Sequence, residues 1–332
     1  MSGKVLAADI GGTHARFMLT EQTHLDGPPS APQPKRLDLE VSDYPGIQEL
    51  IQAALVHFAV SGTADLDAVL ALAGPVRDAR VKLTNLPWTV DAGALEAYFG
   101  FRRVILVNDL AAAARALAQR APADATMLRR GNPEPYGRCL LVSVGTGLGT
   151  AYWSRIGGHL HIEPAEAGHA GFAASETWQV EWLQSLQRRY GDRISWERVV
   201  SGAGLAALDA FMRGGDLGPA ANVPHRAVNG DSIAQSVLRR FAQLLGTFSG
   251  DLALAGPARG GVWLAGGVLA GLGPLFDTRV FMESFGAKGR LTSVLDEVPI
   301  HWVTNGELGL RGAWLTAHAP LQPERNDLWA SP

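Results

Sequence analysis

The chain has 332 residues, 47% of them hydrophobic and 18% charged, with 39 glycines and a formal charge of −3. That length exceeds what one core usually supports, so two domains or one two-lobed domain are expected, and the scattered arginine pairs (Arg102-Arg103, Arg129-Arg130, Arg188-Arg189, Arg239-Arg240) form no stripe for nucleic acid. The single cysteine, Cys139, excludes an intramolecular disulfide and a cysteine-based zinc cluster; no apolar run reaches roughly 18 residues, so no membrane span and no secretion are expected, and the protein reads as cytoplasmic.

In chain order, several apolar runs end in a glycine or an acid and lead into a helical pattern, which is how an α/β protein delivers residues to the ends of its strands. The first, "VLAADIGGT", puts Asp9 at the mouth of a strand and follows it with Gly11, Gly12 and Thr13. The second, "LDAVLALAGPV", leads into "RVKLTNLPW", read as a strand and then an irregular loop around Asn85. In the third, "RRVILVNDLAAAARALA", the strand Val104 to Val107 closes on Asn108-Asp109 and an alanine-rich helix begins. The fourth, "CLLVSVGTGLGTAYW", makes Cys139 a buried strand residue and ends in a turn of Gly145, Thr146 and Gly147. Helices are expected over about 176–189 and 233–252, the second from Val237, Phe241, Leu244, Leu245 and Phe248 at three- and four-residue steps. A last run, "GGVWLAGGVLAG", delivers Gly266-Gly267, and only the tail past about Pro320 reads as loosely ordered.

Backbone N–H groups in a glycine turn can approach phosphate oxygens because no Cβ intervenes, and threonine hydroxyls add uncharged donors. Two such turns could clamp one polyphosphate, although neither has the full G-x-G-x-x-G spacing and no P-loop lysine is present. Asn108, Asp109, Glu166, His169 and Glu197 form a set suited to a polyol. Taken singly, Asp9 and Asp109 also fit helix or turn caps, His169 a structural histidine and Glu197 a solvated acid at a helix start.

The ordered series "ADIGGTHAR", "DYPG", "LTNLPW", "VNDLAAAA", "VSVGTGLGTA", "PAEAGHAGF", "ERVVSGAGL", "GGVWLAGGV", "KGR" and "GLRGAWL" resembles bacterial glucokinases of the proteobacterial type, within the hexokinase and actin-like superfamily, over nearly the whole chain. The resemblance implies an α/β fold of two ribonuclease-H-like lobes with the active site in a cleft between them. The smaller lobe is expected at 1–109, completed by a C-terminal helix at about 308–318, and the larger at 110–307. It further implies that Ala8, Asp9, Ile10, Gly11, Gly12 and Thr13 bind ATP, with Asp9 near Mg²⁺ through water, and that Gly145, Thr146 and Gly147 form the second phosphate loop. Gly266 and Gly267 would pass close to the adenosine. Asn108, Asp109, Glu166, His169 and Glu197 would bind the sugar hydroxyls, with Asp109 as the catalytic base. The implied reaction is transfer of the ATP γ-phosphoryl to the 6-hydroxyl of glucose by a homodimer. The rival readings are another hexose or amino-hexose kinase of the same fold and a catalytically silent sugar sensor. The chain departs from the family at His14, where asparagine is usual, and at Ala165 and Ala167, where the family often has glycine.

Overall fold

The computed structural model describes residues 4–20, 34–119, 125–304 and 306–318. The reading of a loose tail past Pro320 lies outside these residues. The chain divides into two compact units, one running to Ala113 and resuming at Gly309, the other spanning Ala114–Leu308.

The first unit opens with β1 (Lys4–Ile10), β2 (His14–Thr20), β3 (Lys35–Glu40) and helix α1 (Ile47–His57). Then come β4 (Leu66–Leu72), three short strands β5 (Val76–Arg77), β6 (Arg80–Lys82) and β7 (Thr89–Asp91), helix α2 (Ala92–Phe99), β8 (Arg103–Asn108) and α3 (Asp109–Gln119). Its main sheet has the order β3-β2-β1-β4-β8, with β1, β4 and β8 parallel and β1-β2-β3 an antiparallel meander. Strand alternation sends Leu6, Ala8 and Ile10 to a core shared with Leu50, Ile51 and Phe58, while Val5 and Ala7 face the other side. Helix α2 starts where the Asp91 carboxylate accepts from the N–H of Ala94 and stops at Gly100, whose φ of 71° is the left-handed conformation that favours glycine.

The second unit contains β9 (Thr126–Arg129), β10 (Cys139–Val144), β11 (Leu148–Ile156), β12 (His159–Ala165), α4 (Thr177–Tyr190), α5 (Gly202–Arg213), α6 (Asn222–Val228) and α7 (Ser232–Ala255). It continues with β13 (Gly261–Ala265), α8 (Gly267–Leu272), α9 (Thr278–Gly286), α10 (Thr292–Asp296) and β14 (Ile300–Trp302). Its sheet, β12-β11-β10-β13-β14-β9, repeats the pattern of the first, an antiparallel meander on one flank of the central strand and two parallel strands on the other, and adds the antiparallel edge strand β9. The stripe Val237, Phe241, Leu244, Leu245 and Phe248 of α7 is buried, against Phe281 and Phe285 of α9 among others. Cys139 is half-buried at the start of β10, and burial pushes its thiol up to about 12, so it packs rather than reacts. The last described helix, α11 (Leu308–Ala317), returns to the first unit. No helix among the described residues is long and apolar enough to cross a membrane.

Candidate active site

In the first unit the candidate residues line up along one end of the sheet. Ile10 is in register with Leu72, and Leu72 with Asn108, so three parallel strands end at one edge of the sheet, with Asp9 just before the end of β1, Gly74 just after β4 and Asp109 just after β8. Two strand spacings, roughly 10 Å, separate β1 from β8.

The first glycine turn closes the β1-β2 hairpin, with the N–H of Gly11 donating to the carbonyl of His14 at 3.0 Å. Thr13 is exposed at its tip, and a Cβ on Gly12 would lie 3.0 Å from the Cβ of Asn85, so the "LTNLPW" loop forms one wall of the turn. Ala8 and Ile10 are fully buried beneath it and act as core. His14 turns away to Glu40, with Nε2 2.9 Å from Oε1. Asp9 lies among apolar neighbours; burial pushes its carboxyl up to about 6 against the opposing pull of Arg16.

Asn108 and Asp109 divide their work. The Asn108 side-chain carbonyl accepts from the N–H groups of Leu110 (3.1 Å) and Ala111 (3.0 Å), which makes Asn108 the cap of α3, and its amide donates to the carbonyl of Gly74 at 3.1 Å. Asp109 accepts from the N–H of its neighbour Leu110 at 2.8 Å through Oδ1. The capping alternative for Asp109 thus belongs to the residue before it. Gly74 was not among the residues singled out from sequence, although a Cβ there would lie 2.7 Å from the Lys82 carbonyl.

In the second unit the candidate residues gather around Leu148. The Gly145–Gly147 turn joins β10 to β11, held by the N–H of Gly145 on the carbonyl of Gly147 at 2.9 Å. Glu197 reaches this turn: its Oε2 accepts from the N–H of Leu148 at 3.1 Å and would lie 2.6 Å from a Cβ on Gly147. On the same residue, the Leu148 carbonyl fills the place a Cβ on Gly168 would need, which presses the loop carrying Glu166 and His169 onto the turn. His169 Nε2 stands 3.8 Å from Glu166 Oε2, and both side chains are exposed. The two alanines are accommodated, Ala165 by accepting at its carbonyl from the Thr150 hydroxyl at 2.6 Å and Ala167 by packing on the core.

Gly266, with φ of 106°, follows β13 and backs onto Val144 so closely that a Cβ would overlap it, whereas Gly267 and Gly145 have open space where a side chain would sit. Gly266 is therefore required by packing, whereas a side chain at Gly145 or Gly267 would meet nothing within 4 Å. Ser201 and Gly202 carry a further contact that the sequence reading assigned to no role. The Ser201 hydroxyl caps α5 on Gly204 at 3.1 Å, and the N–H of Gly202 donates to the carbonyl of Gly145 at 3.0 Å, fixing the back of the turn. A Ser-Gly pair opening a helix is the local signal for such a contact.

The family described as Glucokinase matches residues 6–320. A glucokinase of Caulobacter vibrioides is 33% identical over 317 residues, covering 94% of each chain. One of Chromohalobacter salexigens is 34% identical over 326 residues, covering 96% of this chain and 98% of its own. The crystal structure of glucokinase from an Antarctic psychrotroph superposes with a TM-score of 0.78 at 28% identity, over 96% of this chain and 99% of that one. With the family match spanning both units and both glycine turns, the chain belongs to the glucokinase family.

Proposed function

We propose that this glucokinase transfers the γ-phosphoryl of MgATP to the 6-hydroxyl of D-glucose, with Asp109 as the base. The observation that carries the reading is the cluster at Leu148, where one residue ties Glu197 to the second glycine turn and seats the Glu166–His169 loop, so groups suited to a polyol and a turn suited to phosphate share one support. Glu166 and His169, exposed and 3.8 Å apart, offer an acceptor and a ring nitrogen to neighbouring hydroxyls. Glu197 keeps Oε1 for the sugar while Oε2 holds the turn. Asn108 caps α3 and keeps one amide hydrogen for a hydroxyl. Asp109, relieved of the capping role, takes the proton from the attacking 6-hydroxyl.

The surroundings of Asp9 fit a cation delivered with the nucleotide. Mg²⁺ usually takes one or two carboxylates and fills its remaining positions with phosphate oxygens and water. Asp9 supplies the carboxylate beside the first glycine turn, and no group of three or more acidic, histidine or cysteine ligands gathers among the described residues. When bound, the ion supplies charge neutralisation on the phosphates. The chain's own part is to orient the phosphates through Gly11, Gly12, Thr13, Gly145 and Thr146, and the sugar through the groups above.

A coupled ADP-release assay with MgATP and glucose, mannose, fructose or N-acetylglucosamine tests the reading. Glucose is expected to give the highest kcat/KM; a higher value for another sugar overturns the acceptor, and no turnover with any of them favours a sugar sensor.

A further inference from the structure

The "GLRGAWL" stretch, Gly309 to Leu315, has no part in the reaction described so far. It forms most of α11, which buries Leu310, Ala313 and Trp314 against Val5, Ala7, Met18, Val69 and Ala71 of the sheet. Alternation along β1 puts Asp9 on the same face as Val5 and Ala7, at the end of the strand. The first turn of α11 therefore meets Asp9, and it does so at Gly309. A Cβ there would lie 2.5 Å from Asp9 Oδ2, 2.6 Å from Cγ and 2.8 Å from Oδ1. The carboxyl group occupies the volume that any side chain would need. Three residues on, Gly312 is pressed against the backbone of Ala112 in α3, where a Cβ would overlap it, so α11 cannot relieve a clash at 309 by moving toward α3.

We propose that Gly309 is a positioning residue for Asp9, its bare backbone leaving the carboxylate the one place from which it serves the nucleotide's cation. The inference rests on the reading of Asp9 given above. An alanine at 309 displaces the carboxylate, and misplacement of about 1 Å at a reacting centre costs on the order of 10²-fold in rate.

The test compares wild type, Gly309→Ala, Asp9→Ala and the double variant, with Gly286→Ala as a control in a helix where a Cβ meets nothing closer than 4.0 Å. MgADP binding is read by calorimetry, glucose binding by tryptophan fluorescence, and stability by Tm. Alanine forms helix better than glycine, so a residue with a merely structural role in α11 would give an unchanged or higher Tm and normal MgADP affinity. Gly309→Ala is instead expected to lower Tm, weaken MgADP by roughly tenfold or more and reduce kcat by roughly 10²-fold, while glucose still binds. In the Asp9→Ala background, where the three atoms nearest that methyl are gone, the same substitution should leave Tm unchanged or raise it. Wild-type MgADP affinity in Gly309→Ala, or an equal Tm loss in both backgrounds, overturns the proposal. Should Gly309→Ala fail to fold, the double variant is expected to fold, and its failure beside a folded Asp9→Ala also overturns it. If Asp9→Ala itself binds MgADP normally, the reading of Asp9 falls, and this inference with it.

Discussion

Gly12 and Asn85 touch through backbone and Cβ rather than through polar groups, and that makes the first glycine turn sensitive to volume. A side chain at 12 begins 3.0 Å from the Asn85 Cβ, and its outer atoms must enter either the Asn85 loop or the space in front of the turn. Gly12→Val should therefore raise the KM for ATP by roughly tenfold, the equivalent of the 1–3 kcal/mol that overpacking typically costs, with glucose binding retained. An unchanged ATP KM would remove this turn from the nucleotide site. Glu166 presents the opposite case. Its side chain is 71% exposed. Glu166→Ala should leave unfolding free energy within about 0.5 kcal/mol of wild type, as exposed substitutions usually do. The glucose KM, in contrast, should rise steeply, because a site built on hydrogen bonds loses heavily when one partner goes. A normal glucose KM in this variant would show that Glu166 has no part in sugar binding.

Helix α11 is held at both ends by contacts that no local pattern encodes. At its start Gly309 meets Asp9; at its end the Ala317 carbonyl accepts from Arg103 at 3.4 Å. Arg103 in turn binds Asp67 at 2.7 Å, beside Arg102 at 2.7 Å, and Asp67 is 3% exposed. Burial alone would raise the Asp67 carboxyl, but the two guanidiniums outweigh it and hold the group below the usual carboxylate range. A carboxyl lowered in the folded state adds stability that is fully present above its unfolded value, near 3.9, and is lost as pH falls through the lower folded value. Asp67→Asn should accordingly cost about 2 kcal/mol at pH 7, discounted for the partly exposed arginines, and the gap to wild type should narrow as pH falls below the unfolded value near 3.9. A gap that does not narrow below that value, measured by denaturant unfolding, would mean that packing rather than charge is lost. At this scale the strand-to-glycine junctions were legible in the sequence, because buried strands read as apolar runs and each ends in glycine, asparagine or aspartate. Helix α7 was legible from its stripe. The strands β5, β6 and β7 are two or three residues long, too short to carry a period, and the contact of Gly309 with Asp9 joins opposite ends of the chain. The division of labour at Asn108-Asp109 was equally hidden, since either residue is a good cap and only the hydrogen bonds distinguish them.

Across the whole molecule one arrangement occurs twice. Each unit has a central strand, an antiparallel meander on one flank and two parallel strands on the other, the second unit adding the antiparallel edge strand β9, and each turns its first hairpin on glycines. In the first unit the same sheet end also presents Asp109, and in the second the hairpin turn is tied to Glu197 and backed by Gly266. The two glycine turns thus occupy equivalent places, each joining a central strand to its antiparallel neighbour, and the proposed chemistry depends on the one carboxylate assigned to move a proton. Asp109→Asn keeps shape and hydrogen-bonding capacity and leaves the cap on Asn108 untouched, so Tm should hardly change. General-base catalysis contributes about 10²–10⁴-fold, and kcat should fall within or beyond that range while the glucose dissociation constant, read by tryptophan fluorescence on the same preparation, stays close to wild type. A folded Asp109→Asn enzyme that still turns over at more than about a tenth of the wild-type rate, well short of what a missing base removes, would contradict the account.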